Sequence, residues 1–267
     1  MAERLGDAQD SPPRWPRPAQ VLDCNCLFGP WPRGPLDAAF GTITDLLSRA
    51  GIGGAVVGSL RTALGNVDEG NLEALRACAS RPALLPAAGL LLRQELDVEA
   101  QVAWCAEQGF RLLRLFPDYE GWPMDFLPFE SALRHSAGCG LPVLLTVRQP
   151  GELTVLGRLV NKTSASVIAA GVNISHTPLV SEAIAEARDC PGLHIETSRL
   201  EGADTMDIVA ECVGPDRLVF GTGLPFQYPS SALALVACSH MTESERQLIL
   251  RDNLLRLIGR SKPGETT

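Results

Sequence analysis

Two spacings of hydrophobic and polar positions alternate along this chain. Short apolar runs of strand length occupy Gln20–Leu27, Gly54–Ser59, Leu84–Leu90, Arg111–Phe116, Pro142–Arg148, Gly171–His176, Leu193–Ser198 and Arg217–Thr222. Between them, apolar residues recur three or four apart in Leu36–Ala50, Gly70–Ser80, Glu95–Gln108, Phe129–Gly138, Pro150–Ala165, Leu179–Asp189, Gly202–Val213 and Ser230–His240. A last amphipathic stretch, Thr242–Ile258, opens with Thr242 and has Glu245 three residues on, the spacing of a capping box. Strand and helix signals in strict alternation, with no break in composition, predict an α/β fold: a single-domain (β/α)8 TIM barrel over 19–260. An open doubly wound sheet is the competing architecture, but no G-x-G-x-x-G loop follows the first strand. Residues 1–18 are proline-rich without periodicity and read as a disordered leader, and 261–267 as a tail.

Composition narrows the partners more than the fold. The chain has 267 residues, 45% hydrophobic and 20% charged, which suits one large globular unit. A net charge of −8 argues against nucleic acid or an anionic membrane surface as a partner. No apolar run approaches the roughly 20 residues of a membrane span, and no secretory signal is present, so the cytoplasm is the expected compartment. The expected partner is a small-molecule carboxylate, with a homodimer as the assembly kept open. The cysteines form no C-x-x-C pair and sit inside apolar patterns, so they read as small buried hydrophobes.

In a barrel of this kind chemistry lies at the carboxyl ends of the strands. The first strand there offers Asp23 and Asn25, two apart and so on one face; Cys24 and Cys26 alternate with them and should point outward beneath the helices. The fourth holds Arg114 among apolar neighbours, where a guanidinium must face something polar, followed by Tyr119 and Glu120. The fifth ends in Thr146 and Arg148, the sixth in His176, the seventh in Glu196 and Ser198, and the eighth in Thr222, with Phe226 beyond. The loop Pro117–Pro128 reads as a lid. Arg114 and Arg148 could clamp a carboxylate, or pair internally with Asp23, Glu120 or Glu196. His176 is the best general acid or base, because an imidazole titrates near working pH.

Several of these stretches resemble the amidohydrolase superfamily. Val21–Gly29 resembles its first-strand signature Asp-x-His-x-His-x-Gly: Asp23 and Gly29 match, while Asn25 and Leu27 stand at the two histidine positions. Leu141–Thr146 looks like the fifth strand with Thr146 in place of a ligand histidine, and Ile174-Ser175-His176 looks like the sixth with its histidine kept. Phe220–Phe226 resembles Phe-Gly-Thr-Asp-x-Pro-Phe, with Gly223 in place of the catalytic aspartate. Asn253–Leu257 is similar to the closing helix. The likeness is to the amidohydrolase-related family that includes aminocarboxymuconate-semialdehyde decarboxylase and metal-independent pyrone-dicarboxylate lactonases, and it covers about 20–259.

The resemblance implies a hydrolase or lyase. The departures from it imply that no metal or other cofactor is held, since a divalent ion needs three or more imidazole or carboxylate ligands. The expected catalytic residues are His176, Asp23 and Glu196. The expected substrate contacts are Asn25, Arg114, Tyr119, Thr146, Arg148, Ser198, Thr222 and Phe226. A catalytically inactive pseudoenzyme that binds a metabolite or a partner protein is the alternative.

Overall fold

The computed structural model describes residues 15–17, 20–93, 97–202 and 204–259. The leader and the tail expected from the sequence lie almost wholly outside these residues.

Eight parallel strands follow one another round a barrel in chain order: β1 (Leu22–Phe28), β2 (Gly54–Ser59), β3 (Leu84–Ala88), β4 (Leu112–Leu115), β5 (Val143–Thr146), β6 (Val167–Ala170), β7 (Leu193–Glu196) and β8 (Leu218–Val219). Helices on the outside connect them, as parallel neighbours require. The chain beyond β8 completes the ring: Cys24 N donates to Phe220 O and Leu27 N to Leu224 O, at 3.0 and 2.9 Å. The TIM barrel is therefore present as one domain.

The core forms two layers, as such barrels require. Leu22, Cys24, Val56, Ala87, Leu112, Leu144, Ile168 and Val219 fill the interior, and the helix Asn253–Ile258 adds Leu254, Leu257 and Ile258 to the same cluster. The opposite strand faces, with Ala55, Val57, Leu113, Leu115, Val143 and Leu145, pack beneath the helices. The capping box at Thr242 forms as its spacing predicts: Thr242 Oγ1 accepts from Glu245 N, and the Glu245 carboxylate accepts from Thr242 N.

Two expectations need correcting. The sixth strand is Val167–Ala170 rather than Gly171–His176. Gly171 ends it at φ +90°, where an added Cβ would lie 2.5 Å from Val147 O; Val172 then turns inward while Ile174 faces solvent. His176 accordingly stands on the loop, just before the helix Thr177–Asp189. Secondly, Cys24 points into the barrel interior, not outward. The β1–β2 pairing slips between Asp23 and Cys26, and such a bulge breaks the inward–outward alternation.

Candidate functional site

A cavity of about 510 Å³ opens at the carboxyl ends of the strands. Of the residues picked out from the sequence, Asn25, Arg114, Tyr119, Thr146, Arg148, His176, Glu196, Ser198 and Phe226 line it. Asp23 and Thr222 do not. Asp23 is fully buried and accepts three hydrogen bonds, from Asn25 N (2.8 Å), Thr222 N (2.9 Å) and Thr222 Oγ1 (2.5 Å). Its carboxylate ties β1 to the chain after β8 and so holds the barrel's seam. Asp23→Ala, which orphans those donors, is expected to cost about 2–4 kcal/mol in chemical denaturation.

Arg114 is the most informative side chain in the cavity. It is 7% exposed, donates from Nη1 to Leu115 O (2.7 Å) and from Nη2 to Thr146 Oγ1 (2.8 Å), and lies 4.5 Å from the Phe116 ring centroid. Its Nε finds no acceptor, and among the described residues it forms no ion pair. Burial pulls its pKa down to about 10, although the charges of Asp118 and Glu196 work in the other direction. The internal pairing with Asp23, Glu120 or Glu196 that the sequence allowed does not form. A buried guanidinium without a counter-ion is costly unless an anionic ligand supplies one.

Arg148 differs. Nε and Nη2 both reach Asp118 Oδ2, at 2.6 and 2.5 Å, so its charge is engaged by a residue of the β4–α connection. It remains half exposed at the rim. The sequence offered three partners for this arginine, and the structure selects a fourth.

Glu196 is fully buried and likewise unpaired with any base among the described residues. Its oxygens accept from Ser198 N (2.8 Å) and Ser198 Oγ (2.9 Å). Burial pushes its pKa up to about 7; the two Ser198 bonds oppose the rise, and the nearby Asp23 charge adds to it. At neutral pH it can thus hold or release a proton. An added Cβ on Gly221 would meet Glu196 Oε1 at 2.3 Å. Because Ser198 pins this carboxylate, Gly221→Ala is expected to cost about 1–3 kcal/mol, read as a lower denaturation midpoint.

His176 is exposed at the lip of the cavity, and Phe226, 47% exposed, does not plug the opening. Trp31 meets both Tyr119 and Phe226 edge-on, with centroids 5.3 and 5.0 Å apart, which makes a continuous aromatic wall. The stretch Pro117–Pro128 belongs to this wall rather than to a free lid. It begins with a helical turn, Pro117–Glu120, and buries Trp122 and Met124 against the body of the barrel. Sequence reasoning missed Gln149 and Asn173 as cavity residues. Their only signal was a place within a few residues of a strand end. With its amide nitrogen toward Ser198 O, Gln227 bridges Ser198 O and Arg199 Nη1, at 3.2 Å each.

The cavity's metal-ligand types are Glu196 and His176; the four positions where the resemblance places ligands hold Asn25, Leu27, Thr146 and Gly223. These residues do not fit a tightly held divalent ion, which needs at least three donors of imidazole, thiolate or carboxylate type. Among the described residues one group of three such side chains converges, Asp204, Asp207 and His240, and none of them lines the cavity.

No family model and no curated protein matches the sequence. Solved structures do match the fold. A 2,6-dihydroxybenzoate decarboxylase in complex with 2,6-dihydroxybenzoate superposes with a TM-score of 0.72 and 16% identity, over 90% of this chain and 99% of the other. The 5-carboxyvanillate decarboxylase of Sphingomonas paucimobilis gives 0.71 and 11%, over 90% and 98%. A dihydroxybenzoic acid decarboxylase from Polaromonas sp. JS666, with bound manganese and the inhibitor 2-nitroresorcinol, gives 0.70 and 14%, over 90% and 96%. In fold, this chain is a TIM barrel of the kind that these decarboxylases have.

Proposed function

We propose that this barrel is a hydrolase or lyase that acts, without a catalytic metal, on a small carboxylated molecule. The observation that carries the reading is Arg114: a buried cation at the cavity that forms no ion pair among the described residues. The decarboxylases that share the fold are named for aromatic acids, which agrees with a carboxylate as the recognised group. Electrostatics favours a hydrolytic step. A guanidinium gripping the carboxylate that must leave would stabilise the ground state and oppose decarboxylation, whereas one gripping a spectator carboxylate only positions the substrate.

A lactone suits this site, because an ester carbonyl is electrophilic enough for water once a base and a proton donor are in place. In this scheme Arg114 holds the carboxylate and His176 takes the proton of the attacking water. Glu196, protonated below about pH 7, donates to the departing alkoxide oxygen. Asn25, Thr146, Tyr119 and Phe226 shape the walls. Asp23 and Thr222 keep β1 in register and act through structure alone.

A second reading, a binder without turnover, is favoured by one observation. The His176 ring is exposed, and among the described residues no side chain hydrogen-bonds to it to orient it, as an efficient base requires. Both readings meet in one experiment. Carboxylated lactones and hydroxybenzoates are incubated with the chain in excess chelator, and proton release, carbon dioxide and binding heat are followed. Turnover that persists in chelator and falls at least 100-fold in His176→Ala supports the enzyme. Turnover that appears only with added divalent metal sinks the metal-free reading. Binding without turnover supports the second reading, and neither binding nor turnover removes both.

A further inference from the structure

Tyr119 is a wall of two cavities. Beyond it from the strand-end cavity lies a second one of about 520 Å³, whose lining includes Arg33, Arg93, Tyr119, Glu120, Trp122 and Phe126. We propose that this second cavity is a separate binding site, for a small aromatic acid that carries a hydroxyl or amino donor.

Each half of that ligand has a matching group. Arg33 stands with its guanidinium carbon 4.9 Å from the Tyr119 centroid and 5.8 Å from that of Trp31; among the described residues it has no carboxylate partner. Arg93 lines the same space but its charge acts on the Glu120 carboxyl, so Arg33 is the guanidinium offered to a carboxylate. Tyr119, Trp122 and Phe126 supply ring faces and edges for an aromatic body. Glu120 is half-buried, and Trp122 Nε1 donates to its Oε2 at 3.3 Å, which leaves acceptor capacity for a ligand O–H or N–H. Gly121, at φ +76°, reverses the chain between Glu120 and Trp122 so that both line the cavity.

The site does not depend on what the first cavity does, although Tyr119 links the two. The Arg148 guanidinium carbon lies 6.0 Å from the centroid of the same ring. A carboxylate that draws Arg33 away from Tyr119 therefore alters a wall of the first cavity.

The test titrates 4-hydroxybenzoate into the full chain, following tryptophan fluorescence and binding heat, with benzoate alongside. Arg114→Met, which disables the anion anchor of the first cavity, is expected to leave one saturable event that still changes Trp122 emission. Arg33→Gln should weaken that event about 10–100-fold, Arg33→Lys less, and Trp122→Phe should remove most of the fluorescence change. Benzoate should bind more weakly than 4-hydroxybenzoate, and Glu120→Met should erase the difference. Binding abolished by Arg114→Met but untouched by Arg33→Gln would overturn the proposal, because only the first cavity would then be occupied. Equal affinity for the two acids would overturn the assigned role of Glu120. Unchanged thermal melts of the Arg33 variants separate lost binding from lost fold.

Discussion

Arg114→Met is expected to lower the affinity of the strand-end cavity for small carboxylates by about 10–100-fold and, at the same time, to raise the melting temperature of the free protein. The first effect follows from the loss of a charge-assisted contact, which contributes about 1.5–3 kcal/mol. The second follows from burial. The Arg114 guanidinium is removed from water, its Nε has no acceptor, and among the described residues it forms no ion pair, so that the charges of Asp118 and Glu196 offset its burial only in part. An apolar side chain of similar length removes that desolvation cost and leaves Thr146 partly exposed on the cavity wall. Gain in stability with loss of binding is the pattern of a residue kept for recognition. If both stability and affinity fell together, Arg114 would be a structural strut, and the carboxylate-binding reading would lose its main support. Parallel thermal melts and calorimetric titrations decide between the two.

Stability of the wild-type chain should fall as pH rises from about 4 to about 7, against the usual trend for carboxylates. Asp23 is raised by burial from 3.8 to about 6 and Glu196 from 4.5 to about 7. Between the unfolded and folded values the native state holds a proton that the unfolded chain has released. The native state therefore binds more protons, and unfolding free energy declines with pH. The contribution is whole below pH about 4 and is lost once pH passes about 7. Each group accounts for on the order of 3 kcal/mol at full extent. Because the charge of Asp23 also raises Glu196, the titration belongs to the pair.

Glu196→Gln keeps an acceptor for Ser198 N and removes the upper part of this window. Its denaturation midpoint should exceed that of wild type at pH 8 and differ little at pH 5. Equal slopes for the two proteins, measured by denaturant titration from pH 5 to pH 8, would mean that Glu196 is ionised in the native state at low pH. Its role as proton donor would then have to be dropped.

Much of the candidate cavity could be read from the chain before the fold was known. A residue's distance from the end of an apolar run fixes its height in the barrel, which is why Asn25, Arg114, Thr146, Glu196 and Ser198 were placed at the mouth correctly. The signal is local, and so is the geometry it reports. His176 was also found, though through the wrong strand: the apolar run Val172–Ile174 mimics a strand that Gly171 has already ended. The Thr242 capping box was local in the same sense and formed as spaced, and seven of the eight apolar runs overlap the strands they predicted.

Partnership between distant residues was decided only when the ring closed. Asp23 and Thr222 lie 199 positions apart and meet because the chain after β8 returns to β1. That contact places Asp23, expected among the catalytic residues, at the seam and outside the cavity lining. Arg148 found Asp118 across 30 positions, while Arg114, nearer the centre, found no carboxylate. Periodicity decides which face a side chain takes, and each such face was read from a few neighbouring residues. Whether a buried charge is neutralised depends on every element around it, which is a property of the closed barrel and not of any one strand.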